Sequence, residues 1–245
     1  MVRMPIQLGS HVIHLRRCGA GKGTVIVLVH GLGTSSDYFV PFAKALSDSY
    51  DVYMIDLPGY GKTPKPKKAL TVEQLADVVL EFVMYMQLEH VVIVGQSMGC
   101  QIVAHATAQK PRLFQKAILL APTVNRNERN LVMQGLQLWQ DTFHEPLNAN
   151  MTVFRDYLRM GVGRFIVSAE YMIDDHIEDV LVQNKLPILI VRGTKDKIVP
   201  RDWINFLEGT TPHSKAAEIV GAPHLVHYTQ PDKLVAICRD FIATS

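Results

Sequence analysis

Five short, unbroken apolar runs constrain this 245-residue chain most: Val25–Val29, Val52–Ile55, Val91–Val94, Ala117–Leu120 and Ile188–Val191. A strand with one wet face alternates apolar and polar residues, whereas a strand without alternation must be covered on both faces. Parallel sheets with helices above and below meet that condition. Segments of helical period do lie between the runs. Tyr38, Phe39, Phe42, Ala43 and Leu46 share one face, with Ser36 or Asp37 as N-cap. Val72, Leu75, Ala76, Val79, Phe82, Val83 and Met86 form a second stripe behind Thr71. The alternation predicts a wound α/β sheet with helices on both sides. At the start, "HVIHLRRCGAGKG" reads as an opening strand and a Gly-rich turn, which predicts an antiparallel edge.

One stretch breaks this rhythm. Between Pro122 and Pro187 no strand run occurs, only helical patterns: Val132, Leu136, Trp139 and Phe143 on one face, Phe154, Tyr157, Leu158 and Gly161 on another. The expected organisation is a core of residues 1–122 and 187–245 interrupted by a helical insertion, 123–186. That insertion is too short for a large core of its own and must pack on the main domain.

The totals remove several classes of function. Hydrophobic residues make up 48% and charged residues 20%, the balance of an ordinary globular protein, and the formal charge of +2 argues against a nucleic-acid or membrane-surface binder. Cys18, Cys100 and Cys238 have neither zinc-ligand nor disulfide-framework spacing. Reduced thiols and a cytoplasmic location are therefore expected, with Cys100 as a small packing residue. The N-terminal residues lack the apolar region of a signal peptide, and no run is long enough for a bilayer, so no stable membrane insertion is expected.

The chemistry is carried by "VIVGQSMGCQIV". Here a strand pattern hands over to a helix pattern through Gly95-x-Ser97-x-Gly99, the context of a nucleophile elbow. Glycines two before and two after the serine remove side chains that would collide where helix and strand cross. A serine hydroxyl is a weak nucleophile at neutral pH, so it needs a base, and the base needs an orienting acid. Asp196 in "ILIVRGTKDKIVP" and His224 in "AAEIVGAPHLVHY" each lie just past a strand run. The order Ser97, Asp196, His224 belongs to one known scaffold.

Two other glycine-rich stretches fail as phosphate sites. "GYGKT" has Asp56 where a P-loop needs its first glycine, and Pro64 where a helix should open. "GLGTSS" has Ser36 at the third glycine of a dinucleotide fingerprint.

In its motifs and their order the chain resembles the α/β-hydrolase-fold superfamily, in its serine-nucleophile, esterase- and lipase-like branch. The segments that carry the resemblance are "LVHGLGTSSDYF", "VYMIDLPGYGKT", "VIVGQSMGCQIV", "ILIVRGTKDKIVP" and "GAPHLVHYTQPDKL", which span nearly the whole length. The resemblance implies a mostly parallel wound sheet of about eight strands with helices on both faces and a small helical cap. It implies that the backbone N–H groups of Leu32 and Met98 form an oxyanion hole, while His30 braces the loop before it. One departure is that Pro223, not glycine, precedes His224, which makes His227 a rival base. The family's closing proline commonly falls seven residues past the histidine, and Pro231 fits His224. Glu128 is a distant alternative acid, and Asp202 is expected to start a helix beside Trp203.

The implied activity is hydrolysis of a carboxylic ester of a modest, largely apolar small molecule through an acyl-enzyme, with no metal or organic cofactor. Lactone or carbon–carbon bond hydrolysis, perhydrolysis and acyl transfer use the same three side chains, and a receptor with little turnover could keep the fold. No oligomeric state is implied. Because the insertion would cover the sheet top, some of Trp139, Phe143, Phe154 and Tyr157 are expected to form an apolar pocket wall, with Met133, Met151 and Met160 as adaptable fillers. An imidazole base of ordinary pKa would lose activity below about pH 6–7.

Overall fold

The computed structural model describes residues 1–19 and 23–244. Its eight strands are β1 Val2–Leu8, β2 His11–Cys18, β3 Val25–Val29, β4 Asp51–Asp56, β5 Val91–Gln96, β6 Phe114–Leu120, β7 Ile188–Gly193 and β8 Ser214–Ile219. They form one sheet in the order β1-β2-β4-β3-β5-β6-β7-β8. β1 and β2 pair antiparallel, as do β2 and β4; every later pairing is parallel. All five apolar runs are strands. The antiparallel edge is also present, although Ala20–Lys22 of the expected Gly-rich turn lie outside the described residues.

The helices are α1 Val40–Leu46, α2 Val72–Tyr85, α3 Met98–Gln109, α4 Leu131–Thr142, α5 Leu147–Met160, α6 Val162–Asp174, α7 Ile177–Leu181, α8 Arg201–Thr210, α9 Val226–Thr229 and α10 Pro231–Ala243. Strand geometry sends successive side chains to opposite faces, so each run feeds two cores. Val27, Val29, Ile93, Leu119 and Ile190 pack with α2, α3 and α8. Ile26, Leu28, Val92, Val94, Ile118 and Val191 pack with α1 and α10.

Local chemistry sets the helix starts. Thr71 and Gln74 form a reciprocal capping box on α2. The expected cap of α1 at Ser36 or Asp37 is not found: those residues lie in a 3₁₀ turn, Ser36–Phe39, which Ser35 caps, and α1 follows from Phe39 without a side-chain cap. Asp202 lies in the first turn of α8, as its position predicts.

Between β6 and β7 stand α4–α7. The last of these, α7, buries Ile177 and Leu181 in the same core layer as α3. No helix of the described residues is long and apolar enough to cross a membrane.

The strand order decides where a site can form. The chain leaves β3 for β4 on one side and returns to β5 on the other. The crevice beyond the C-terminal ends of β3 and β5 is therefore a switch point, where open α/β sheets bind ligands. His30-Gly31-Leu32 and Ser97 follow those two strand ends.

Candidate active site

Ser97 sits alone between β5 and α3 with φ 54° and ψ −123°, a conformation that L-residues rarely adopt. Its N–H donates to the Leu120 carbonyl at 2.9 Å, and its own carbonyl accepts from Cys100 N–H at 2.9 Å, which locks the turn. The flanking glycines are there because backbone fills the space a side chain would need. A Cβ on Gly95 would lie 2.3 Å from the Gly99 carbonyl oxygen, and one on Gly99 would lie 2.3 Å from the Val29 carbonyl oxygen. Ser97 opens onto a cavity of about 150 Å³.

Two later loops converge there. After β7, Asp196 Oδ1 accepts the N–H groups of Ile198 and Val199 at 2.8 and 3.0 Å. Those two bonds fix the carboxylate and leave Oδ2 for His224 Nδ1, 2.9 Å away. A carboxylate only accepts, so Nδ1 carries the proton and Nε2 is the free basic nitrogen. His224 lines the same cavity as Ser97.

His227 is built differently. Its ring packs against Tyr38 and Phe39, both nitrogens are buried without a partner, and burial lowers its pKa to about 3. It is a neutral aromatic packing group, outside the cavity lining.

The loop after β3 is held from several sides. Leu57 N–H donates to His30 Nε2 at 3.0 Å, so the His30 proton sits on Nδ1, which contacts the Gly31 carbonyl at 2.9 Å. Burial lowers the pKa of His30 and keeps it neutral. Gly31 N–H donates to the Tyr38 hydroxyl, which donates in turn to Gln96 Oε1, both at 2.8 Å. Leu32 lines the cavity and Met98 begins α3 behind Ser97. Among the described residues neither of their N–H groups has an acceptor. Cys100 is buried, with its thiol pushed well above the ordinary range by burial. Glu128 is turned away, accepting from Gln137 at 2.8 Å.

A feature that the motifs do not mark is a pair of buried carboxyl groups beside His224. Asp141, near the end of α4, and Glu145, in the turn before α5, both line the cavity. Glu145 Oε1 accepts the N–H of Leu225, the residue after His224, at 2.7 Å. Burial raises the pKa of Glu145 to about 8; the Leu225 bond opposes that and the Asp141 charge adds to it. Burial also raises Asp141, against the pull of His224. On His224 itself burial acts downward. The negative charge of Asp196 and its hydrogen bond, together with Asp141 and Glu145, outweigh burial and lift the imidazole to about 9. That is well above the ordinary histidine value assumed from sequence.

The expected pocket wall needs correction. Tyr157 lines the cavity, but Trp139, Phe143, Phe154, Met133 and Met151 are exposed, and Met160 is buried away from the lining. The roof comes instead from Leu131, Gln134, Leu138 and Val153, with Phe165 and Met172 of α6. On α4 the buried side chains are Gln134, Gln137 and Asp141, so the polar stripe faces inward. Apolar periodicity located the helix correctly but pointed it the wrong way.

Residues 24–156, more than half of the chain, match the alpha/beta hydrolase fold family. The chain belongs to that family. Among alpha/beta hydrolases, the uncharacterized hydrolase YugF of Bacillus subtilis is 27% identical over 261 residues, which cover 96% of this chain and 95% of YugF. An esterase structure from Exiguobacterium antarcticum superposes with a TM-score of 0.86 at 17% identity, covering 99% of this chain and 100% of that one. The enol-lactonase of Burkholderia xenovorans superposes with a TM-score of 0.83 at 20% identity, covering 98% and 100%. Likeness at such identities speaks for the fold. Family and relatives together make this an enzyme of the alpha/beta hydrolase type.

Proposed function

We propose that the protein is a serine hydrolase that cleaves a carboxylic ester of a small, largely apolar molecule through an acyl-enzyme. The observation that carries this reading is the shared cavity. A serine in a strained turn opens onto the same space as an imidazole whose far nitrogen is bonded to a fixed carboxylate.

In this reading His224 Nε2 removes the Ser97 proton as Oγ attacks the ester carbonyl. Asp196 holds the tautomer and stabilises the imidazolium. The N–H groups of Leu32 and Met98 take the developing alkoxide, where loss of one such donor typically costs ~3–4 kcal/mol. His224 then protonates the leaving alcohol and activates a water that releases the acid. About 150 Å³ of cavity, roughly the volume that holds a benzene ring, favours short acyl chains.

The test is a panel of p-nitrophenyl esters of increasing acyl length, with a lactone and a vinylogous diketone, assayed on wild type and Ser97→Ala. Fluorophosphonate adduct formation is followed by mass spectrometry. Turnover of short esters and a single adduct, both lost in Ser97→Ala, support the proposal. Adduct formation with turnover confined to the diketone would replace ester cleavage by carbon–carbon cleavage. Ligand-induced stabilisation with neither adduct nor turnover would point to a receptor.

A further inference from the structure

The inverted helices of the insertion leave an apolar surface that the fold does not cover. On α4 and its C-cap, Val132, Leu136, Trp139 and Phe143 repeat at spacings of four, three and four. On α5, Leu147, Met151, Phe154 and Leu158 repeat in the same way. All eight are exposed, from 46% at Leu136 to 82% at Leu147, and Val162 and Ile166 continue the ridge onto α6. Two exposed apolar stripes of this length on consecutive helices, tied at their joint by Asn150 Nδ2 donating to the Thr142 carbonyl at 2.8 Å, mark an interaction surface.

Charge says what covers it. From Leu131 to Met160 the three acidic residues, Asp141, Glu145 and Asp156, are buried; the exposed charges are Arg155 and Arg159. These two arginines are partly offset by Asp37 and Asp156. Lys62, Lys65, Lys67 and Lys68 are not offset: all four are exposed, and none makes an ion pair among the described residues. Their loop rests on the end of the ridge. Arg164 Nη2 donates to the Pro66 carbonyl, and Lys65 Nζ lies 3.9 Å from where a Cβ on Gly161 would sit, at the joint of α5 and α6.

We propose that this ridge and its lysine loop dock the protein peripherally on an anionic phospholipid surface. Apolar side chains would enter the headgroup boundary while the lysines meet lipid phosphate and carboxylate. A second copy of the chain fits less well, because from Leu131 to Met160 the ridge offers no exposed acidic side chain to meet the lysines. The low net charge of the whole chain argues by itself against a membrane-surface binder; docking departs from that expectation because the charge that meets the lipid is the one local to the ridge.

The chain carries its own probe. It has two tryptophans; Trp203 is 2% exposed in the core, whereas Trp139 is 60% exposed on the ridge. The full chain is mixed with phosphatidylcholine vesicles, with and without about 30% phosphatidylglycerol, and partition is measured by flotation. The expected result is binding at least ~10-fold stronger to the anionic vesicles, weakened by salt. It should be accompanied by a blue shift of tryptophan emission and quenching by brominated acyl chains. Trp139→Phe should keep binding and lose the signal. Leu147→Ser with Phe154→Ser should lower partition ~10-fold while circular dichroism and the melting temperature hold. Lys65→Gln with Lys67→Gln and Lys68→Gln should remove the preference for anionic lipid.

No binding to either vesicle, equal binding to both, or binding untouched by these variants overturns the proposal. So does sedimentation that shows a dimer with Trp139 already shielded without lipid, which would give the ridge to a second copy.

Discussion

The carboxyl pair beside His224 should shift the acid limb of the pH–rate profile, and should depress the rate at pH 7 in a non-additive way. With the imidazole near pKa 9, only about 1% of it is neutral at pH 7, so kcat/KM should rise roughly tenfold per pH unit until pH approaches 9. Asp196 is the larger source of the elevation, and Asp141 and Glu145 supply the rest. If that remainder is ~1.4 kcal/mol, removing it moves the limb by about one pH unit and raises the rate at pH 7 about tenfold.

At pH 7 either acid alone should do much less. Glu145, near pKa 8, is mostly protonated there, so Glu145→Gln removes little charge at that pH, and glutamine can still accept the Leu225 N–H; near pH 9 the carboxylate is ionised and its removal does move the limb. In Asp141→Asn, Glu145 loses the repulsion that keeps it protonated and ionises in its place. The double variant Asp141→Asn/Glu145→Gln should therefore shift the limb to about pH 8 and raise the rate at pH 7 by more than the two single gains combined. The assay is kcat/KM on a neutral ester from about pH 5.5 to 10, with NMR titration of labelled histidine as a readout free of turnover. A wild-type limb near pH 6–7, or a double variant that matches wild type, would refute the reasoning. Single-variant rate gains at pH 7 that simply add would refute the shared-charge argument.

Three further outcomes follow from particular contacts. Asp196→Asn should lower kcat on the order of 10⁴, since asparagine no longer fixes the His224 tautomer, and should lower the melting temperature near neutral pH, since it removes the carboxylate that holds the buried His224 proton; steady-state kinetics and calorimetry check both halves. His227→Phe should keep kcat/KM within about threefold, because both ring nitrogens are unpartnered and the packing on Tyr38 and Phe39 survives, whereas His224→Ala should lose nearly all activity. Alkaline pH should destabilise the fold. His224 binds its proton more tightly folded than unfolded, a contribution present below pH 6.5 and lost through about pH 9, worth ~3 kcal/mol at most, and Glu145 acts in the same direction up to about pH 8. Melting temperatures that stay flat from about pH 6 to 10 would contradict this.

What could be read from sequence divides along a physical line. The unbroken runs specified strands because burial on both faces leaves no other pattern, and Gly95 and Gly99 specified the elbow because backbone carbonyls occupy the space of their side chains. Asp196 and His224 could be expected near the switch point because each follows a strand, and the two side chains meet at 2.9 Å. Sequence spacing also set His224 apart from His227, and the two rings sit differently, one imidazole bonded to a carboxylate and the other to nothing.

The insertion was misread for an equally physical reason. Periodicity shows that a helix has an apolar face, but not what lies against that face. In a core helix the partner is the sheet, and the inference is safe. In a thin layer over a polar site, the partner below is an imidazole and its carboxylates, and the polar stripe turns inward. Gln134, Gln137, Asp141 and Glu145 repeat at spacings of three, four and four, as regular as the apolar stripe on the opposite side. Where a helix carries two competing stripes and its neighbour is a charged site rather than a sheet, the polar stripe is the better guide to what faces inward. Glu145 and Asp141 could have been found that way, and the same reading leaves Trp139 and Phe154 outside, in need of a partner.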